Sequence, residues 1–484
     1  MENIKNTYSE LPKEFHRSIN PTPVSKPKFL SLNRELANEL SIDTADEKKL
    51  LQYFSGNAVP GDSSTLAMAY AGHQFGNFVP QLGDGRAILL GELYDKERKL
   101  NDIQLKGSGV TAFSRQGDGR SAIGPVIREY ILSEAMHAMN IPTTRALAAV
   151  STGENVSREA PLKGGILTRV SNSLIRVGTF EFFRARQDLE NLKVLADFTI
   201  NRLYPEISDE GNKYLQLFEA IAEKQSTLIS KWMSIGFIHG VMNTDNFSVS
   251  GETIDYGPCA FMEAYSPDTV FSSIDRHGRY KYSNQPKIAL WNLSCLAGCL
   301  LPIIEGNENE KEETIRESLG NFSKDINLKI NTAMTEKIGL KETKESNDLV
   351  KELLSIMHKN NADFTLTFRS LSSAIGSNDD DFLVCFSNAE EPKDWLNKWK
   401  KMIHQRSEKT ENTIDNLNSI NPIYIPRNHL IERAIREYEE ENTHTIMDQI
   451  LLVAQKPYLE QEDMEDFAIP AKDEEQVTQT FCGT

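Results

Sequence analysis

The chain has 484 residues, with 53 Lys+Arg against 70 Asp+Glu for a formal net charge of −17, and it is 39% hydrophobic and 25% charged. That length suits two to four domains or one large two-part enzyme; the composition is too apolar for disorder throughout and too acidic for a general binder of nucleic-acid backbones. No apolar run approaches the roughly 18 residues that span a bilayer, and residues 1–13 lack a basic region followed by an apolar one. A cytoplasmic monomer without membrane or nucleic-acid partners is expected. Five cysteines (Cys259, Cys295, Cys299, Cys385, Cys482), none in a Cys-x-x-Cys pair, indicate neither a disulfide scaffold nor a zinc ribbon.

The first 60 or so residues read as a polar leader with a Pro-rich bend at 20–23 and one amphipathic helix near 31–40. From 70 to about 186 glycines become dense and short apolar runs alternate with turns, the texture of strands separated by loops. The clearest strands are 86–93 and 102–106; in the second, Ile103 and Leu105 face one way while Gln104 and Lys106 face the other. Pro125, tolerated in a first helical turn, opens a helix to about 139 whose apolar stripe is Ile127, Ile131, Ala135 and Ala138, with Glu129 off the stripe. After 183 the chain turns mainly helical, and Leu215, Phe218, Ile221, Leu228 and Trp232 mark a long amphipathic helix that Gly236 can end. The acidic stretch 305–317 reads as a solvated helix face, the tail after 457 as a loose terminus, and 300–480 as helical packing and partner surface. The fold class expected is α+β, strand-rich first and helical second.

Taken alone, Gly83-Asp84-Gly85 before a strand reads as an ordinary hairpin turn. Order and spacing raise another reading, because Lys106 follows Gly85 by 21 residues at a strand end and Glu129 follows Lys106 by 23 on a helix. Backbone N–H groups of such a turn can approach phosphates, an ammonium can neutralise them, and a helix carboxylate can hold the ammonium. Downstream, HGVMNTDN at 239–246 is followed nine residues later by Asp255-Tyr256-Gly257, with a hairpin-like stretch 248–253 between. Asn246 and Asp255 suit Mg²⁺, a hard cation that commonly takes one or two protein oxygens plus nucleotide phosphates, and Asp245 is a second carboxylate beside the reacting group. This is the order of protein-kinase parts. One part departs from it: the position two residues after His239, where a kinase carries its catalytic Asp, is Val241.

The runs YAGHQFG at 70–76, QLGDGR at 81–86, LKGSG at 105–109, SRQGDGR at 114–120, HGVMNTDN at 239–246 and DYGP at 255–258 closely resemble the SelO/YdiU family of selenoprotein O-like pseudokinases. The resemblance implies a kinase-like two-lobed fold, with 1–185 a leader and strand-rich N-lobe carrying the glycine-rich nucleotide loop. Residues 186–484 would form a helical C-lobe with the catalytic and metal loops and an acidic tail. It implies transfer of AMP from ATP to Ser, Thr or Tyr hydroxyls of protein substrates with loss of pyrophosphate, with Mg²⁺ or Mn²⁺, a link to redox homeostasis and redox proteins among the acceptors. UTP as a UMP donor stays open. Carried over by residue, Lys106 and Glu129 are the ion pair; Gly83, Gly85, Arg86, Asp118 and Gly119 are nucleotide contacts, with Asp118 and Gly119 in a loop lying over the nucleotide. Arg169 and Arg176 hold the distal phosphates, Asn246 and Asp255 bind metal, and Asp245 is the general base. Phosphoryl transfer through Asp245, and a silent nucleotide-binding scaffold, stand as alternatives. Family members often carry a Cys or selenocysteine near the end, here Cys482, but no cysteine stands at 266–282 to pair with it.

Overall fold

A computed structural model describes residues 1, 4–61, 63–208, 211–376, 378–405 and 409–480. The N-terminal part is built on a sheet of eight described strands, ordered β1-β3-β6-β7-β10-β9-β2 with β8 beside β10. The members are β1 (His16–Ser18), β2 (Lys28–Leu32), β3 (Leu66–Met68), β6 (Ala87–Tyr94), β7 (Leu100–Lys106), β8 (Ser121–Ala122), β9 (Arg145–Ser157) and β10 (Pro161–Ser171). A separate ribbon pairs β4 (Gly72–Gln74) with β5 (Asn77–Val79). Both strands predicted between 86 and 106 are present, β7 starting two residues earlier than expected.

The leader is not a polar appendage, because β1 and β2 are the two ends of the main sheet. Phe15, Leu30, Leu36 and Phe54 are buried, and burying a side chain of that size is worth about 1.5–3 kcal/mol, which fastens the segment to the sheet. The helix predicted at 31–40 is split for the same reason. Ser31 and Leu32 pair with β9, and Asn33 then caps α1 (Arg34–Glu39) by accepting the Leu36 N–H at 3.0 Å. A second short helix, α2 (Glu47–Phe54), precedes β3.

Helix α3 (Ile123–Ala138) lies against the sheet and is buried nearly all round, including Arg128 and Glu129. Its outer side is covered from far along the chain by the helices Asn428–Glu441 and Thr445–Ala454, where Arg128 Nη1 donates to Asn428 Oδ1 at 3.1 Å and Arg128 also pairs with Glu432. The helical region begins with α4 (Val177–Ala185), α5 (Leu189–Leu203) and α6 (Lys213–Ser234), continues with α7 (Gln285–Leu300) and α8 (Glu308–Lys337), and stays helical to Ala454. Helix α6 ends before Gly236, as its apolar spacing predicts. The acidic stretch opens α8 with a capping box between Asn307 and Glu310. The mixed architecture is therefore a β-rich N-terminal sheet followed by a helical region. No described helix is long and apolar enough to cross a membrane.

Two local expectations give way. Residues 248–253 form no hairpin: Ser248 bridges to Arg176 and Thr253 to Thr143, so the segment is pinned by distant backbone while Phe237–Ile238 and Ala260–Phe261 pair outside it. The tail is not wholly loose either. Thr480 N–H donates to Phe271 O at 2.8 Å and its hydroxyl to Pro258 O at 2.6 Å, both within the segment that follows Asp255. Cys482 lies outside the described residues.

Candidate active site

A cleft of about 850 Å³ lies where the sheet meets the helical region. Strand β7 ends there on Lys106, whose Nζ is 2.6 Å from Glu129 Oε2 on α3 and 2.8 Å from Asp255 Oδ1. Arg169 stands on β10 opposite Gln104 of β7. Its Nε and Nη2 donate to Glu129 Oε1 at 3.0 and 2.5 Å, and Nη2 also reaches Asp255 Oδ1 at 2.6 Å. Arg176, at the N-terminus of α4, donates to Asp84 Oδ1 at 3.3 Å, comes within 4.0 Å of Asp255 Oδ2 and lies over the Tyr70 ring at 4.4 Å. Two cations predicted from sequence to meet phosphate are thus almost fully buried, at 1% and 2% exposure, and are held in place by carboxylates.

The charge pattern follows from that burial. Desolvation alone would raise Asp255; Arg169, Lys106 and Arg176 outweigh it and hold the carboxyl well below its ordinary range. Glu129 likewise is lowered, with Arg169 and Lys106 overcoming its burial. Asp84 is instead raised, because desolvation outweighs Arg176, the Met68 N–H and Arg169. Asp255 also carries a left-handed backbone, φ 63°, which Asp adopts more readily than most residues with a Cβ, and the three cations around it hold its carboxylate.

The glycine-rich turns close one side. Gly83 has φ 132°, and a Cβ there would fall on the Phe113 ring. The turn is laced to the next loop, since the Thr111 hydroxyl donates to Asp84 O at 2.6 Å and the Ser114 hydroxyl to Gly85 O. Arg86 lines the same wall. The loop 114–120 forms the rim, with Asp118 drawn below its ordinary pKa chiefly by Arg158, whose Nη1 is 2.8 Å from its Oδ2. Gly119, at φ 65°, presses against the Gly109 backbone where a Cβ would collide.

Across the cleft, His239 is a buried scaffold residue, stacked on Trp232 and bonded through Nε2 to Ile254 O at 2.9 Å. Asn246 commits its Nδ2 to Val241 O at 3.1 Å, leaving its carbonyl oxygen as a donor to a cation. Asp245 accepts from Gln74 Nε2 at 3.1 Å through Oδ2, while its Oδ1 is buried without a partner. Burial pushes its carboxyl up to about 6 against the Gln74 bond and Arg176.

The structure brings the predicted residues to one cleft and adds some that sequence reasoning passed over. Asp84 reads in sequence only as the middle of a turn, yet it holds Arg176 and takes the Met68 N–H and Gln104 amide at 3.1 Å each. The 70–76 run serves as a strap: Phe75 N–H donates to Asn243 Oδ1 at 3.0 Å and His73 N–H to Thr244 Oγ1 at 2.6 Å, beside the Gln74 contact. In sequence this run carries part of the family resemblance, but its role as a strap comes only from these distant contacts. A second cavity of about 530 Å³ elsewhere contains the buried Glu252, already satisfied by Ser171, Asn172 and Ser250, and gathers no comparable set.

The family model described as Protein adenylyltransferase SelO matches residues 2–455. A protein of Maridesulfovibrio salexigens named protein nucleotidyltransferase YdiU is 48% identical over 480 residues, covering 99% of this chain and 98% of its own length. Proteins of the same name from Agrobacterium fabrum and Rhizobium rhizogenes are each 49% identical, over 487 and 483 residues; the first alignment spans 100% of both chains, the second 99% of this one and 96% of the other.

Proposed function

The chain belongs to the SelO family and is a nucleotidyltransferase, and we propose that it moves AMP from ATP to Ser, Thr or Tyr hydroxyls of proteins. In this reading residues 1–185 and 186–484 are the two lobes of a kinase-like fold, and the cleft between them takes the nucleotide. The observation that carries it is the convergence of Lys106, Arg169 and Arg176 on Asp255 at one side of a cleft whose other side holds Asp245 with an unpartnered oxygen.

The hydroxyl oxygen attacks the α-phosphorus, the bond from that phosphorus to the bridging oxygen breaks, and pyrophosphate leaves. The hydroxyl proton passes to the Asp245 carboxylate. Charge grows on the β and γ oxygens, where the guanidinium groups of Arg169 and Arg176 and the Lys106 ammonium stabilise it; in a buried site each such contact is stronger than in water. Glu129 orients Lys106 and Arg169 by accepting from both. Gly83 and Gly85 let the backbone approach the nucleotide, Arg86 adds positive charge on that wall, and Asp118 and Gly119 shape the loop over it. Asn246 and Asp255 offer the oxygen donors for Mg²⁺ or Mn²⁺, which when bound neutralises phosphate charge. The relatives are named for an activity, so a catalytically silent scaffold is not carried further.

Incubating the protein and candidate acceptors with ATP labelled at the α or the γ phosphate, with Mg²⁺ or Mn²⁺, tests the reading. An α-labelled adduct of AMP mass is expected. A γ-labelled adduct of phosphate mass would establish phosphoryl transfer instead.

A further inference from the structure

A second cluster of metal-ligating side chains is joined to the Asp245 loop through Thr244. His73 of β4, Glu181 of α4 and Cys295 of α7 place a ring nitrogen, a carboxylate oxygen and a thiol sulfur within 4.8 Å of one another. His73 Nδ1 is 2.6 Å from Glu181 Oε1, Glu181 is buried, and the other two are half-buried. Among the described residues no other three His, Cys, Asp or Glu side chains converge in this way.

The donor set has a definite preference. One imidazole, one thiolate and one carboxylate suit Zn²⁺ and its spectroscopic stand-in Co²⁺, whereas the oxygen donors Asn246 and Asp255 suit Mg²⁺ or Mn²⁺. Bonds of about 2.0–2.3 Å in a tetrahedron set ligand atoms roughly 3.5 Å apart, so separations that lie within 4.8 Å would close by no more than about 1.3 Å and the 2.6 Å His73–Glu181 contact would open by about 0.9 Å. Side-chain rotation supplies such changes. The His73 ring is steered into position by Trp291 and Phe78, whose centroids lie 5.2 and 5.0 Å away. Glu181 has an outer partner as well, since its Oε2 accepts the Thr244 hydroxyl at 2.5 Å.

The geometry points to a zinc-class site formed by His73 Nδ1, Glu181 and Cys295, with a fourth position open to water. It goes beyond nucleotidyl transfer and does not depend on it. The ion ties three elements of separate sequence origin, β4, α4 and α7, to Thr244 and so to the loop that carries Asp245. The competing reading is a proton-donor hub in which His73, Thr244 and a protonated Cys295 all donate to Glu181. In both readings Glu181 is central; only the metal reading requires a thiolate.

Titrating the full-length, chelator-stripped protein with Co²⁺ in excess Mg²⁺ separates the two. One equivalent of Co²⁺ is expected to develop a thiolate-to-cobalt charge-transfer band in the near ultraviolet, bleached by one equivalent of Zn²⁺. Cys295→Ser should abolish the band, His73→Gln should weaken Co²⁺ binding at least tenfold, and Asp255→Asn should leave it intact. Absence of a thiolate band in the unaltered protein, or a band that survives Cys295→Ser, overturns the site. Should Cys295→Ser fail to fold, iodoacetamide labelling of the unaltered protein decides: Zn²⁺ should protect the Cys295 peptide, and equal labelling with and without Zn²⁺ overturns it. None of these readouts involves labelled ATP, so failure here is distinct from failure of the transferase reading.

Discussion

Gln74 Nε2 donates to Asp245 Oδ2 at 3.1 Å across 171 residues of sequence, and the opposite oxygen of the same carboxylate is buried with no partner. One oxygen is thereby held, and the other, buried beside Gly72, keeps its lone pairs unused. A residue that must take a proton from an incoming hydroxyl needs that combination: a fixed orientation and a free acceptor.

Asp245→Asn preserves the shape and the Gln74 neighbour but removes the proposed base. Transfer of AMP is expected to fall by about 10²–10⁴-fold while nucleotide affinity changes little. Gln74→Leu acts only through orientation, so a smaller drop of about tenfold in kcat is expected, with KM for ATP nearly unchanged. Label incorporation under saturating ATP and calorimetric titration of nucleotide measure the two effects; full activity in Asp245→Asn would remove the base from its role.

In the proposed reading Arg176 has a chemical role beside its buried pairing with Asp84. Arg176→Ala strands the buried Asp84 carboxylate, so a stability loss of about 3–5 kcal/mol is expected alongside a fall in transfer on the order of 10³-fold. The double variant Arg176→Ala/Asp84→Ala should recover much of the stability and none of the transfer. Urea unfolding and pyrophosphate release follow the two quantities separately. Arg169→Ala should lower transfer similarly, because Glu129 then keeps only Lys106, and Asp255 only Lys106 and the more distant Arg176.

Gly119→Ala places a Cβ against the Gly109 backbone at a left-handed φ. The strained conformation alone costs about 1 kcal/mol or more, and the collision forces the 114–120 loop away from the cleft. Nucleotide affinity should fall at least tenfold, read by titration calorimetry, with the melting temperature moving only a few degrees because residues 115–118 of the loop are exposed and can shift.

Lys337 predicts a pH effect remote from the cleft. It is 2% exposed, with its Nζ 4.6 Å from the Phe368 ring centroid, and burial lowers its pKa to about 7. From about pH 7 to its ordinary value near 10.4 the unfolded chain holds the proton and the folded chain does not, so this group makes stability rise with pH across that window and adds no slope below it. The contribution is at most about 1.4 kcal/mol per pH unit. Lys337→Met should remove that slope and raise stability below pH 7 by an amount on the order of 1 kcal/mol or more. Denaturant midpoints at pH 6.5 and 8.5 check it; equal gains at both would show that Lys337 does not titrate there.

Much of the fold was legible because it rests on local patterns. Alternation placed β6 and β7, an apolar stripe and a first-turn Pro placed α3, and a long amphipathic period placed α6. The leader was misread because β1 and β2 are short and end-of-sheet, and so carry too few residues for a period to register. The 248–253 stretch was misread because its partners are Arg176 and Thr143, which no local pattern names.

The same division holds at the site. Residue chemistry and order along the chain were enough to propose Lys106, Glu129, Asp245, Asn246 and Asp255 as candidates, since a turn, a strand cation, a helix carboxylate and oxygen-rich loops are written in consecutive runs. Sequence alone could not show that Arg169 and Arg176 are buried and balanced by Glu129, Asp255 and Asp84, that Gln74 fixes Asp245, or that His73, Glu181 and Cys295 converge. Those are pairings between residues tens to hundreds of positions apart. They depend on strand register and helix packing, and only when the chain closes on itself do burial and charge act between such groups strongly enough to set their orientation and protonation.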